Sequence, residues 1–112
     1  MDIRIGHGYD VHRLDVQGAG GRPMVLGGVK IECDIGPISH SDGDAVLHAM
    51  TDAILSAIGE PDIGQLFPDS DPANEGKESK VFLLEALERA SAGGWAVGNV
   101  DITVICDEPK LG

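Results

Sequence analysis

Aromatic side chains are scarce in this sequence. Trp95, Tyr9, Phe67 and Phe82 are the only ones among 112 residues, so any core must be mainly aliphatic. Basic residues are also few. Eight Lys and Arg stand against nineteen Asp and Glu, a formal net charge of −11. A basic face able to neutralise a nucleic-acid backbone cannot be built from them, so no nucleic-acid partner is expected. A small phosphorylated ligand stays open, provided metal ions supply positive charge. Cysteine is limited to Cys33 and Cys106, without CxxC spacing, and the two are read as thiols rather than a disulfide. No apolar run approaches a membrane span, and Met1-Asp2-Ile3-Arg4 lacks signal-peptide character, so no membrane partner is expected.

What is abundant is glycine, at sixteen residues, read as tight turns around a compact site in a single domain over residues 1–112. Asp2 to Gly6 alternates polar and apolar and predicts an opening strand. Asp15 to Gly21 is expected to be a glycine-rich loop. Met24 to Ile31 reads as a hairpin turning at Gly27-Gly28, and residues 32–39 as a loop closed by Pro37. A helix is predicted from about Asp42 to Ile58, ended by Gly59 and Pro61. Ser41 and Asp44 form a capping-box pattern at its start, and Val46, Met50, Ala53, Ile54, Ala57 and Ile58 form its apolar face. A second helix over about Glu78 to Ala92 takes Val81, Leu83, Leu84, Leu87 and Ala90 or Ser91 as its apolar positions. Trp95 to Ile105 predicts a strand with Val100, Ile102 and Val104 on one face.

The chemistry concentrates at two histidines and a carboxylate. In an extended segment Asp10 and His12 point to the same side. His48 sits on the first helix with Asp44 one turn before it and Asp52 one turn after, a setting better suited to a metal than to an apolar core. Asp10, His12 and His48 together make a plausible ligand set with one position open, the pattern of a working zinc site. An ordinary exposed polar pair is the competing reading of Asp10 and His12. Likewise, residues 62–72, rich in Asp and Pro, read either as a defined binding loop or as an acidic solvated turn.

The motifs Gly6-His7-Gly8-Tyr9-Asp10-Val11-His12, His40-Ser41-Asp42-Gly43-Asp44, the His48 helix, Asp62-Ile63-Gly64, Phe67-Pro68-Asp69-Ser70-Asp71-Pro72 and Gly98-Asn99-Val100-Asp101 occur in one order. Together they resemble the 2-C-methyl-D-erythritol 2,4-cyclodiphosphate synthase family, over essentially the whole chain. The resemblance implies a homotrimer with active sites between subunits, acting on 4-diphosphocytidyl-2-C-methyl-D-erythritol 2-phosphate in non-mevalonate isoprenoid biosynthesis and releasing CMP. It implies Zn²⁺ or another divalent cation on Asp10, His12 and His48, and Mg²⁺ or Mn²⁺ with the substrate phosphates. His40 matches the position credited with transition-state stabilisation. The implied substrate contacts are Asp10, Val11, His12, His40 and Ser41, then Asp62, Ile63 and Gly64, then Phe67, Pro68, Asp69, Ser70 and Asp71. Cys106, Asp107, Glu108, Pro109, Lys110, Leu111 and Gly112 resemble the loop that holds the cytidine diphosphate, although Asp107 and Glu108 make it more acidic than such a site calls for. A location in the bacterial cytoplasm or plastid stroma is implied.

The expected fold class is α+β, a small sheet with helices packed on one face. The family pattern continues beyond Gly112 with a strand, a Thr-Thr-x-Glu-like motif that helps hold the second metal, and a helix. The expectation is therefore a C-terminally shortened domain lacking that strand and helix. A catalytically silent metal- or nucleotide-binding subunit, and a zinc hydrolase using water as nucleophile, are the alternative functions.

Overall fold

The computed structural model describes residues 2–106. Its strands are short and antiparallel: β1 (Leu14–Val16), β2 (Val25–Leu26), β3 (Val29–Lys30) and β4 (Ile35–Pro37). β2 and β3 form the expected hairpin, with Gly27 and Gly28 at φ 62° and 81°. Two successive positive φ values define a turn whose twist suits paired strands, and glycine enters that region without steric cost. β1 pairs with β4, Val16 opposite Ile35 and Leu14 opposite Pro37. These strands fall in two stretches expected to be loops, since Leu14-Asp15-Val16 and Ile35-Gly36-Pro37 are too short for alternation to stand out. The class is α+β, with two separate two-stranded ladders.

Helix α1 spans Ala45–Ala57, α2 spans Ile63–Leu66 and α3 spans Ser79–Ala92, with a 3₁₀ turn at Pro72–Asn74. The N-cap of α1 is Asp44, whose carboxylate accepts from the Leu47 amide at 3.1 Å. Ser41, the expected cap, instead turns its hydroxyl toward His48. The same Asp44 carboxylate accepts from the Gly27 and Gly28 amides at 2.9 and 2.7 Å. Fully buried, it satisfies three donors that would otherwise be orphaned and ties the hairpin turn to the helix start.

The core lies between α1 and α3. Leu47, Thr51 and Leu55 of α1 face Phe82, Ala86 and Ala90 of α3 as the buried side chains of the pair. Both predicted faces are therefore rotated. On α1 the buried line is 47, 48, 51, 55, and the Val46, Met50 and Ile54 line is only half-buried. On α3, Val81, Leu84 and Leu87 are exposed. Small alanines take the interface because they let the helices approach closely, whereas a hydrophobicity pattern weights the larger leucines. His48 accordingly lies on the buried face and not beside it.

Among the described residues, 2–12 form no ladder, so the predicted opening strand is not seen as a paired strand there. They run along α1 instead. A Cβ on Gly6 would fall 1.8 Å from the Ala53 carbonyl oxygen, and one on Gly8 1.8 Å from that of Ala49. Arg4 donates to the Ala57 carbonyl at 3.4 Å, and its guanidinium lies 4.8 Å from the Trp95 ring centre. Two residues of extended chain cover about 6.6 Å and four residues of helix about 6 Å, so alternate residues meet successive turns. Trp95 to Ile105 likewise forms no ladder among the described residues, and Ile3, Ile5, Val100, Ile102 and Val104 are exposed. Alternation reports which way side chains face, but a strand also needs a hydrogen-bonded neighbour. Among the described residues no helix is long and apolar enough to cross a membrane.

Candidate metal centre

The step along α1 delivers the site. After Gly6 and Gly8, the next residue of the same parity is Asp10, one turn nearer the helix start. There its Oδ2 lies 3.4 Å from His48 Nδ1 and 2.9 Å from His12 Nδ1. One ligand atom from each of Asp10, His12 and His48 falls within 4.8 Å of the others, and the two imidazole centroids are 5.3 Å apart. The glycines make this possible, because any side chain at 6 or 8 would lift the segment off the helix.

Asp10 Oδ2 and His12 Nδ1 are buried yet have no aligned hydrogen bond. Their 2.9 Å approach is too poorly directed for one, as when lone pairs converge on a common point. Two imidazoles and a carboxylate are suitable donors for a divalent zinc-type ion. Burial raises the Asp10 pKa, but the His12 and His48 imidazoles prevail and hold the carboxyl below its usual range. The adjacent Asp10 carboxylate, against burial, holds the His12 imidazole above its usual value, with help from Asp42 and Asp69. Beyond the trio, His48 Nε2 lies 2.7 Å from Ser79 Oγ and 3.2 Å from Ser41 Oγ, and the Ser79 hydroxyl is in close contact with Asp42.

The trio opens into a cleft of about 630 Å³. His40 and Ser41 line it, with Ile63, Gly64, Phe67 and Asp69. Phe67 and Phe82 stack at 4.7 Å between centroids, and Phe82 lies 5.6 Å from the His48 ring, giving the cleft an aromatic floor. His40 Nδ1 is 2.5 Å from Glu75 Oε2, while its Nε2 is buried without a partner among the described residues. Arg22 fixes this corner: it donates to the Ser39 and His40 carbonyls at 2.7 and 3.1 Å and to Glu75 at 2.8 Å.

Several of the anticipated residues do not line this cleft. Val11 is exposed and stands outside the lining, and Pro68, Ser70, Asp71, Asp62 and Cys106 are not part of it either. Asp62 caps α2 through the Gln65 amide at 2.9 Å, and Asp71 caps the 3₁₀ turn through the Ala73 amide at 3.0 Å. Pro68 offers its carbonyl to Asn74 Nδ2 at 2.9 Å. Asp107, Glu108, Pro109, Lys110, Leu111 and Gly112 lie outside the described residues. Asp52 accepts from the Ile63 amide at 3.0 Å and so braces α2. Ser39, Asn74, Glu75 and Phe82 line the cleft without having been singled out. Asn74 and Glu75 follow an acidic, proline-bearing loop, which was the available signal.

Fold and site together define a small α+β protein with a two-histidine, one-carboxylate centre beside a cleft of about 630 Å³. Residues 3–112 match the YgbB family model. The 2-C-methyl-D-erythritol 2,4-cyclodiphosphate synthase of Proteus mirabilis is 52% identical over 109 residues, covering 97% of this chain and 66% of that protein. The synthase of Gemmatimonas aurantiaca is 56% identical over 110 residues, covering 98% and 64%. Among solved structures, IspF of Plasmodium falciparum in complex with CDP superposes with a TM-score of 0.75 at 42% identity, covering 96% of this chain and 62% of that one. The chain belongs to the YgbB family, and the relatives it matches are 2-C-methyl-D-erythritol 2,4-cyclodiphosphate synthases. It spans only about two thirds of their length.

Proposed function

We propose that this chain carries the metal centre and phosphate cleft of a cyclodiphosphate synthase. The reaction converts 4-diphosphocytidyl-2-C-methyl-D-erythritol 2-phosphate to the 2,4-cyclodiphosphate and CMP. The observation that carries this reading is the convergence of Asp10, His12 and His48, with the buried and unsatisfied Asp10 Oδ2 and His12 Nδ1, at the foot of the cleft. A 2-phosphate oxygen forms the new bond to the β-phosphorus. The bond from that phosphorus to the bridging oxygen breaks, and the oxygen leaves with CMP. Nucleophile and electrophile belong to one molecule, so a folded substrate gains a high effective concentration. Such a transfer asks the protein mainly for positioning and charge.

Asp10, His12 and His48 would hold zinc, which supplies Lewis-acid charge to a phosphoryl oxygen when bound. Mg²⁺ or Mn²⁺ accompanying the phosphates adds charge that eight Lys and Arg in a chain of net −11 do not. His40 directs its unpartnered Nε2 at the phosphates, with Glu75 anchoring the opposite ring nitrogen. Ser41 offers a hydroxyl at the cleft wall, and Ile63, Gly64, Phe67 and Asp69 shape the substrate's seat. Residues 106–112 take the cytidine diphosphate, and a ligand of that class is in keeping with the CDP complex of the Plasmodium relative. The working unit is a homotrimer with sites between subunits, residues 1–112 forming one domain of each, in the bacterial cytoplasm or plastid stroma.

The competing reading is a silent metal- or nucleotide-binding subunit. Incubating the chain with substrate, Zn²⁺ and Mg²⁺ and following ³¹P NMR separates them. CMP and cyclic diphosphate appearing together support the synthase. Stoichiometric zinc without CMP supports the silent subunit, and a linear product identifies a hydrolase.

A further inference from the structure

We infer that Ser79 and Asp42 are positioning residues for the metal centre, holding the His48 proton on Nε2 so that the Nδ1 lone pair faces Asp10 and His12. The inference rests on the metal reading above and adds residues from outside the ligand trio.

Donor counting leads to it. Asp42 Oδ1 accepts from the Asp44 amide at 3.0 Å and Oδ2 from the Ser79 amide at 2.9 Å. As a carboxylate it has no proton to offer, so the Ser79 hydroxyl donates to Asp42. A hydroxyl has one proton, and this one is committed. Toward His48 Nε2, at 2.7 Å, Ser79 can therefore only accept, and Nε2 must carry the hydrogen. The neutral ring then has its lone pair on Nδ1, 3.4 Å from Asp10 Oδ2. Two electron-rich atoms facing each other in a buried site call for a cation between them. Ser41, at 3.2 Å from the same nitrogen, is the longer partner and also accepts from the Gly43 amide at 3.2 Å.

Burial gives the arrangement its rigidity. Ser79 is 0% exposed and His48 7%, so neither can exchange its partner for bulk water. Asp42 also substitutes for a cap. Glu78, at the N-cap position of α3, makes no side-chain cap bond, whereas Asp42 holds the Ser79 amide across 37 residues of sequence. One carboxylate thus fixes where α3 begins and which nitrogen of His48 is available. A ligating imidazole generally donates its other N–H to such a partner, and removing the partner typically weakens metal affinity roughly 10–100-fold.

The test compares wild type with Ser79→Ala, Ser79→Thr and Asp42→Asn. Ser79→Ala leaves the amide-to-Asp42 bond intact, so α3 keeps its start and circular dichroism should not change. Competition titration with zinc alone should show Ser79→Ala weaker by roughly 10–100-fold, with Ser79→Thr, which keeps the hydroxyl, close to wild type. Long-range ¹H–¹⁵N correlation on the metal-free chain above pH 8 should show His48 protonated at Nε2 in wild type and a tautomer mixture in Ser79→Ala. Wild-type zinc affinity in Ser79→Ala, or a wild-type His48 protonated at Nδ1, overturns the inference. A wild-type chain that binds no zinc sinks the metal reading instead, and the tautomer measurement still decides the relay.

Discussion

His40 and Glu75 meet through Nδ1 and Oε2 at 2.5 Å, on the side of the imidazole away from its unpartnered Nε2. The carboxylate is half-exposed, and its other oxygen is held by Arg22 at 2.8 Å. The pair aims the ring, with Arg22 as its anchor.

Glu75→Ala should therefore lower CMP release about tenfold, because the ring loses the contact that orients it, while His40→Ala should cost about 10²–10³. Glu75→Gln keeps an acceptor and should retain most of the rate. Steady-state assays of the three variants check this; equal rates for Glu75→Ala and wild type would remove Glu75 from the site.

Gly8→Ala should separate the two halves of the metal centre. Its Cβ would lie 1.8 Å from the Ala49 oxygen, and such overpacking costs about 1–3 kcal/mol. Zinc stoichiometry should fall although every ligand is present. Isothermal titration checks this, and unchanged binding would mean that residues 2–12 do not lie on α1 as described.

Asp44→Ala should be destabilising by about 1–2 kcal/mol, since the buried Leu47 amide and the two part-buried amides of the hairpin turn lose their acceptor. Asp44→Asn keeps one acceptor oxygen and should lose less. Urea unfolding gives the order, and a neutral Asp44→Ala would contradict the shared-cap geometry.

Asp52 has its pKa raised by burial, with the Ile63 amide opposing and Asp62 and Asp10 adding to the rise. An acid with a raised folded-state pKa contributes stability below its unfolded value of 3.8 and loses it as pH climbs through the folded value. Asp52→Asn keeps an acceptor for the Ile63 amide without the charge. It should be more stable than wild type at pH 7, by roughly 0.5 kcal/mol, with the advantage vanishing toward pH 3. Melting temperatures across pH test this; a variant less stable at pH 7 would refute it.

Much of this site can be read from sequence for one reason. Asp10 and His12 share a parity and His48 sits on a well-marked helix, so period and spacing place all three. The parity survives even though residues 2–12 form no ladder, because it belongs to extended chain rather than to a sheet. Gly27-Gly28 announces the hairpin for a similarly local reason. Ser79 carries no such signal: it resembles any residue at a helix start, and its partners lie 31 and 37 residues away. On α3 the expected position Ala90 is buried, but Ala86 takes the rest of the interface with Phe82 because a small side chain matters through closeness of approach, which hydrophobicity does not report. The strand expected over Trp95 to Ile105 finds no hydrogen-bonded neighbour among the described residues, and Val100, Ile102 and Val104 are exposed like the residues between them.

The extended run of residues 2–12 over α1 has a thermodynamic side. Among the described residues no ladder secures it, and it supplies two of the three groups that converge at the centre. An ion bound there would clasp the run to the helix, and its binding free energy would become docking free energy for that segment. Ion occupancy and protection of residues 2–12 from proteolysis would then titrate as one transition, making the beginning of the chain a reporter of its own metal content.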